Sequence, residues 1–593
     1  MSEQRPFQPG AEPAAPSTIA SVVVIDPTGV THLDQALGGG LPRGSLVIIV
    51  GPPGSGKTTL ANQLAFSAAE TGRRAIVLTA LSEPTSKLIA HLRAFDFFDE
   101  ELIGDSVQFL SLQQFLSGGL DATGDEIVAA ARRARASFVV LDGFRGLRGA
   151  DVDPQAARQF LYDIGATLSV LGTTTIITSE ADPRDPTFFP EATTGDVIVG
   201  LRYDLIGVRQ VRGLEVIKMR GAAPLPGMHG MELTSAGCVV YPRLEAVVAQ
   251  QTHGDSVAPE QGRYNASERQ ERHDLAESRA AFDLPELDAL LHGGLTRGAS
   301  TLVVGSLGAG KTTLGLHFTL AGPRNGEPTV YVGFRESRAQ LLLKADAFGM
   351  GEQLGAALAT EHMLRLLRWA PVELNPDVVA NLIFEAIDEI GARRLVVDSV
   401  AELERAILDL ADPHRVDNYL AAIVEALRMR GVTGVFIREL RQSQLPDLDF
   451  ADNPISVMAE NVLLLRQVER NTGHYRVVSA PKMRFSAHNA SALREFRILP
   501  SVGIHVLAPA ESSSGLLTEI ALEEGEAGES AQAPDAVGGE GAQSRRPRNG
   551  GAERQQQTKL DPKQAQQPER PASDGTTNTS NPAEKPDRSG GFS

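Results

Sequence analysis

The chain has 593 residues, a formal net charge of −18 and a single cysteine, Cys238. That length provides for several domains with large cores, and the acidity argues against a general binder of DNA or anionic membranes. One cysteine excludes an internal disulfide and fits a reducing, cytoplasmic setting; no apolar run approaches a membrane span, and the N-terminus lacks the charged start and apolar core of an export signal.

In chain order, residues 1–20 are polar and Pro-rich and are expected to be flexible. A first domain is expected over 21–249. Within it the apolar run Leu46–Val50 reads as a strand that turns through Gly51-Pro52-Pro53-Gly54-Ser55-Gly56-Lys57-Thr58-Thr59 into a helix-compatible segment, the context of a phosphate-binding P-loop. Further strands are expected at Ala75 to Leu81, ending in a polar turn with Glu83; at Phe138 to Leu141, ending in Asp142; and at Thr174 to Thr178. A helix is expected over Gln155 to Leu171. Residues 250–279 are polar and charged and read as a linker.

A second domain, 280–509, repeats this order. Thr301 to Val304 leads into Gly305-Ser306-Leu307-Gly308-Ala309-Gly310-Lys311-Thr312-Thr313, and Lys57 and Lys311 lie 254 positions apart (311 − 57), an offset that Leu33-Asp34 and Leu287-Asp288 keep. This is an internal duplication. Strands Thr329 to Phe334, Leu395 to Val397 (ending in Asp398) and Thr433 to Ile437 follow, with a helix over Arg415 to Arg430 and Glu336 after the first of these strands. Strands alternating with helices imply an α/β fold: two tandem RecA-like P-loop domains, each a mainly parallel sheet flanked by helices, with ligands at the carboxyl ends of the strands. The stretch 510–593 is rich in Gly, Glu, Gln, Pro, Ser and Asn. It reads as a disordered tail, either solvated or a partner-binding arm.

Cleaving a nucleoside triphosphate requires its phosphates to be held, Mg²⁺ to be placed and a water to be oriented. Lys57 and Lys311 are candidates for neutralising the terminal phosphates. Thr58 and Thr312 offer a hydroxyl to the metal, with Asp142 and Asp398 in its outer shell. Glu83 and Glu336 are candidates for activating water, although a turn carboxylate is often only solvated. Lys218-Met219-Arg220 and Lys482-Met483-Arg484 place two cations on one face of a strand, suited to reaching a phosphate across a subunit boundary.

The double P-loop, the Leu-Asp and Gly-Gly-Leu-x-Arg-Gly lead-ins, Glu336-Ser337-Arg338-Ala339-Gln340-Leu341-Leu342, and Lys482-Met483-Arg484 followed by Arg494-Glu495-Phe496 resemble the KaiC family of tandem RecA-like ATPases from the bacterial circadian clock. The resemblance covers about 28–245 and 280–505. It implies a homo-hexameric double ring with ATP and Mg²⁺ at subunit interfaces, and slow ATPase activity in the first domain. In the second it implies serine/threonine autokinase and phosphatase activity, with Lys218, Arg220, Lys482 and Arg484 reaching into a neighbour's site. The chain departs from the family at Ser82 and Arg335, where a first glutamate of a pair is expected, at Ile437-Arg438-Glu439, and at Val457, which leaves Ser456 as the remaining candidate phosphoacceptor.

Two other functional classes share this fold. A DNA recombination or helicase motor would need basic or aromatic loops along a pore, against an acidic chain with one Trp. An ATP-assembled, non-catalytic scaffold is the other, and Arg335, Arg438 and Val457 point that way for the second domain.

Overall fold

The computed structural model describes residues 24–79, 84–112, 114–115, 119–144, 154–182, 191–255, 278–410, 413–440, 458–470, 473–485 and 492–512. Ser82, Glu83, Ser456, Val457 and the tail from 513 lie outside the described residues.

Each half begins with a short antiparallel ribbon. In the first it is β1 (Ile25–Asp26) with β2 (Leu41–Pro42). The Leu-Asp lead-in holds the adjoining loops: Asp34 Oδ1 accepts the Thr28 N–H at 2.8 Å, and Asp288 accepts those of Phe282 and Leu284 at 2.8 and 3.0 Å.

The first sheet contains β3 (Leu46–Val50), β4 (Ala75–Thr79), β5 (Val107–Ser111), β6 (Phe138–Leu141), β7 (Thr174–Ser179), β8 (Val197–Ile206), β9 (Arg209–Met219), β10 (Met228–Thr234) and β11 (Gly237–Tyr241), in the order β11-β10-β9-β8-β3-β7-β6-β4-β5. Strands β3 to β8 pair in parallel, and β9 to β11 extend the sheet antiparallel. Central β3 is buried along its whole length because helices cover both faces of the sheet. Its side chains alternate: Val47 and Ile49 join one apolar cluster with Leu60 and Leu64 of helix Lys57–Glu70. Leu46, Ile48 and Val50 join another with Ile127, Leu161 and Leu168 of helices Gly119–Ala134 and Pro154–Val170.

In the second half a ribbon of β12 (Arg279–Ala280) and β13 (Leu295–Thr296) precedes β14 (Ser300–Gly305), β15 (Thr329–Gly333), β16 (Leu364–Arg368), β17 (Arg394–Asp398), β18 (Thr433–Glu439), β19 (Asn461–Arg470), β20 (Gly473–Met483), β21 (Leu493–Leu499) and β22 (Gly503–Val506). Their order, β16-β15-β17-β18-β14-β19-β20-β21-β22, repeats the first sheet strand for strand. The α/β reading with mainly parallel sheets therefore holds.

The two sheets belong to one compact unit. Helix Leu244–Asp255 leaves the first sheet and runs past residue 249 onto the second half, where Leu244 and Val248 join the cluster built around Phe384, Tyr419 and Leu427. No helix among the described residues is long and apolar enough to cross a membrane.

Candidate functional site

Both P-loops sit where the sequence puts them, at the carboxyl ends of β3 and β14. Gly56 and Gly310 cap the following helices with φ of +102° and +100°, and neither helix start has a side-chain cap. The left-handed backbone favours glycine there, and at Gly310 a Cβ would also lie 2.9 Å from Ile498 Cδ1. The first N–H groups of helices Lys57–Glu70 and Lys311–Arg324 are thus left for an anion. Lys57 folds back so that Nζ donates to Pro52 O at 2.9 Å, and Lys311 Nζ donates to Ser306 O at 2.7 Å. Burial lowers both lysine pKa values, opposed by Glu180 and Asp142 in the first copy and by Glu439 and Asp398 in the second.

The cavity at Lys57 is about 370 Å³ and that at Lys311 about 380 Å³, so the copies differ in lining rather than capacity. In the first, Thr58 Oγ1 donates to Asp142 Oδ1 at 3.1 Å, Thr178 Oγ1 donates to the same oxygen at 2.6 Å, and Thr178 Oγ1 accepts the Gly143 N–H at 2.7 Å. In the second, Ile437 takes the place of Thr178, and Tyr331, at the position of Val77, donates its hydroxyl to Asp398 Oδ2 at 3.2 Å. Burial raises the Asp398 pKa, and the bonds from Thr312 and Tyr331 oppose that rise. Each copy therefore brings the predicted lysine, threonine and aspartate together across the carboxyl ends of two strands, β3 and β6 in the first and β14 and β17 in the second.

The oxygen donors suit Mg²⁺, which binds through few protein groups and completes its shell with phosphate and water. Among the described residues no group of three or more His, Cys, Asp and Glu could hold a metal independently. Ser55 Oγ in the first P-loop and Ser399 Oγ in the second cavity are buried without a hydrogen-bond partner among the described residues, polar atoms that a bound ligand or water would satisfy.

Glu336 lines the second cavity, with Oε1 paired to Lys344 Nζ and Oε2 buried without a hydrogen-bond partner among the described residues. Arg335 lies beside it. Its Nε donates to Glu402 Oε1 at 2.7 Å and Nη1 to Glu439 Oε2 at 3.3 Å. The sequence reading gave no role to Glu180, which follows β7, or to Glu439, which ends β18, the strands next to the P-loop strand in the two copies; each lines its cavity. Their recurrence in step is the signal that could have found them. It also missed Arg212 of β9, which clamps Gly54 O from Nε and Nη2 at 3.3 and 3.2 Å and stacks over Tyr203.

The Lys-Met-Arg pairs are elsewhere. Lys218 sits opposite Ile198, and the Arg220 N–H reaches Asp196 O, level with the start of β3. The strand separates Arg220 from its own P-loop by roughly 16 Å at about 3.3 Å per residue. Lys482 pairs with Val462, and the Arg484 N–H reaches Glu460 O, at the amino end of β14. None of the four lines the cavity of its own half.

A family model described as "ATPase: KaiC" matches residues 26–245 and again 283–511. Among curated proteins, the chain is 25% identical to the circadian clock protein KaiC3 of Synechocystis sp., over 83% of this chain and 93% of that protein. It is 25% identical to the circadian clock oscillator protein KaiC of Picosynechococcus sp. and 24% identical to that of Synechococcus elongatus. Each of these two alignments covers 79% of this chain and 87% of the relative.

Proposed function

The chain belongs to the KaiC ATPase family, and from that premise we propose that it binds ATP with Mg²⁺ at both P-loops, hydrolyses it mainly at the first, and acts in the cytoplasm as a homo-hexameric signalling or timing ATPase. The observation that carries this reading is the linkage of Thr58, Asp142 and Thr178 beside a buried Lys57.

In this reading the glycine-capped helix N-termini receive the β- and γ-phosphates, and Lys57 exchanges Pro52 O for a phosphate oxygen. Thr58 and Asp142 hold the metal position, where Mg²⁺ would draw charge from the breaking bond. Glu83, assisted by Glu180 facing Lys57, orients the attacking water. Lys218 and Arg220, remote from their own cavity, serve the next subunit, as do Lys482 and Arg484. The second copy binds by the same parts, Lys311, Thr312 and Asp398. It turns over more slowly, because Lys344 engages Glu336 and a cation, Arg335, stands beside it. A serine autokinase activity would use Ser456 as acceptor.

Phosphate release and intact mass, followed together on the full chain with Mg·ATP, test this reading. Lys57→Ala is expected to reduce phosphate release about a hundredfold, as losing a phosphate-stabilising cation does, and Lys311→Ala to reduce it by less than about half. The reverse ranking would overturn the assignment. A mass gain that disappears in Ser456→Ala would add the kinase; no mass gain limits the chemistry to hydrolysis.

A further inference from the structure

We infer that Arg335 is a phosphate ligand supplied by the second domain to its own P-loop, and that it makes the cavity at Lys311 selective for a nucleoside triphosphate over a diphosphate. The inference rests on the reading that this P-loop binds nucleotide.

Arg335 follows β15 at its carboxyl end and lines the same cavity as Lys311, Thr312 and Asp398. It is close enough that its charge helps to depress the Lys311 pKa, after burial. The first cavity has no such group: Lys57 is the only Lys or Arg lining it among the described residues.

The way Arg335 is held matters more than its presence. Its Nε edge is anchored at 2.7 Å to Glu402, a carboxylate only 2% exposed that Arg405 Nη1 also approaches at 3.3 Å. The rest of the guanidinium is free to act. Nη1 makes only the longer 3.3 Å contact to Glu439, which is 36% exposed, Nη2 has no hydrogen-bond partner among the described residues, and the side chain as a whole is 55% exposed. A planar fork fixed along one edge and open along the other suits bidentate capture of a terminal phosphate. The charge balance permits the exchange: Glu402 keeps both Arg335 and Arg405, so only the Glu439 contact is given up. The P-loop N–H groups and Lys311 hold the β-phosphate that ATP and ADP share as well as the third phosphate. Arg335 enters the cavity from the end of β15, with β17 and β18 between it and the P-loop strand, and so adds a second cation for the third phosphate, which ADP lacks.

Calorimetric titration of the full chain carrying Lys57→Ala, so that only the second P-loop reports, tests this with Mg·AMP-PNP as a triphosphate that is not turned over and with Mg·ADP. Arg335→Ala is expected to weaken AMP-PNP about ten- to a hundredfold and ADP less than about threefold, with Arg335→Lys between. Equal losses for both nucleotides, or no loss, would overturn the inference. Arg335→Ala leaves buried Glu402 with Arg405 alone, so Arg335→Ala/Glu402→Gln guards against misfolding and should show the same triphosphate-specific loss. If the Lys57→Ala protein with Arg335 intact takes up neither nucleotide, the reading of the second P-loop fails and the inference falls with it. Uptake with an unaltered preference in the Arg335 variants sinks the inference alone.

Discussion

Asp142 and Asp398 occupy equivalent strand ends, yet different residues hold them. In the first copy Thr178 from β7 donates and Val77 is apolar; in the second Tyr331 from β15 donates and Ile437 is apolar. Each aspartate gets one hydroxyl from a flanking strand, and the donor has changed sides. Tyr331→Phe removes that bond while Asp398 remains buried, which raises its pKa further. Mg²⁺-dependent nucleotide binding at the second P-loop should then weaken about fivefold and fail at a higher pH on acidification than in the parent, because the metal position needs the ionised carboxylate. Adding Ile437→Thr should restore both, as Mg²⁺ titrations at several pH values would show; failure of this rescue would mean that the tyrosine acts by packing. The exchange was not legible in the sequence because it is a contact across strands, joining residues 67 positions apart. Lys57, Thr58 and Asp142 could be placed from local pattern, a glycine-rich turn after an apolar run and an acid ending another. The partners of Arg335 could not, since Glu402 and Glu439 lie 67 and 104 positions away.

The helix that begins at Lys311 also ties the P-loop to the far edge of its sheet. His317, on its inner face, is 7% exposed and accepts the Ile504 N–H at 3.0 Å, while Gly503, at φ +80°, would place a Cβ 2.5 Å from the same imidazole nitrogen. Burial pushes the His317 pKa down from 6.5 to about 4. The unfolded chain therefore binds a proton before the folded chain does. The stability that this neutral imidazole contributes is complete above about pH 6.5 and is lost as pH falls toward 4. Urea unfolding at pH 7 and 4.5 should show about 2 kcal/mol more loss in the parent than in His317→Gln, whose amide oxygen can accept the same N–H without titrating. Equal pH slopes in the two proteins would refute this. The parallel strands β3, β4, β6 and β7 and their counterparts β14, β15, β17 and β18 were readable as short apolar runs closed by a polar residue, whereas the half-buried edge strands β5 and β16 were not. The long strands β8, β9, β19 and β20, where each sheet passes from parallel to antiparallel pairing, were not, because burial along them changes from one end to the other; β8 is buried over its first six residues and largely open over the last four. No single periodicity marks such a strand.

At the scale of the molecule, the halves share buried charge as well as apolar surface. Arg415 of the second half binds Glu245 of helix Leu244–Asp255 through Nε at 2.8 Å and also pairs with Asp377, which is 6% exposed, while Asn381 Nδ2 donates to Pro242 O at 2.9 Å. Removing the cation leaves two carboxylates together in a largely buried site. Arg415→Met is therefore expected to cost about 3 kcal/mol in chemical unfolding, and Arg415→Met with Glu245→Gln and Asp377→Asn distinctly less. A loss below about 1 kcal/mol for the single variant would show that water already compensates the pair. The composition shift near residue 250 was visible in the sequence, but the packing of Leu244 and Val248 was not, since their partners arrive more than a hundred residues later. For anyone building chimeras from this chain, that helix fixes where a graft can be joined. A donor half stitched in at 249 would split a helix in mid-course and hand the recipient a core with a missing wall. A seam placed beyond 255 carries Leu244, Glu245 and Val248 across as one piece, yet still requires the recipient to present its own counterparts of Asp377 and Arg415. The two repeats can be copied separately, but they can be exchanged only as a matched pair.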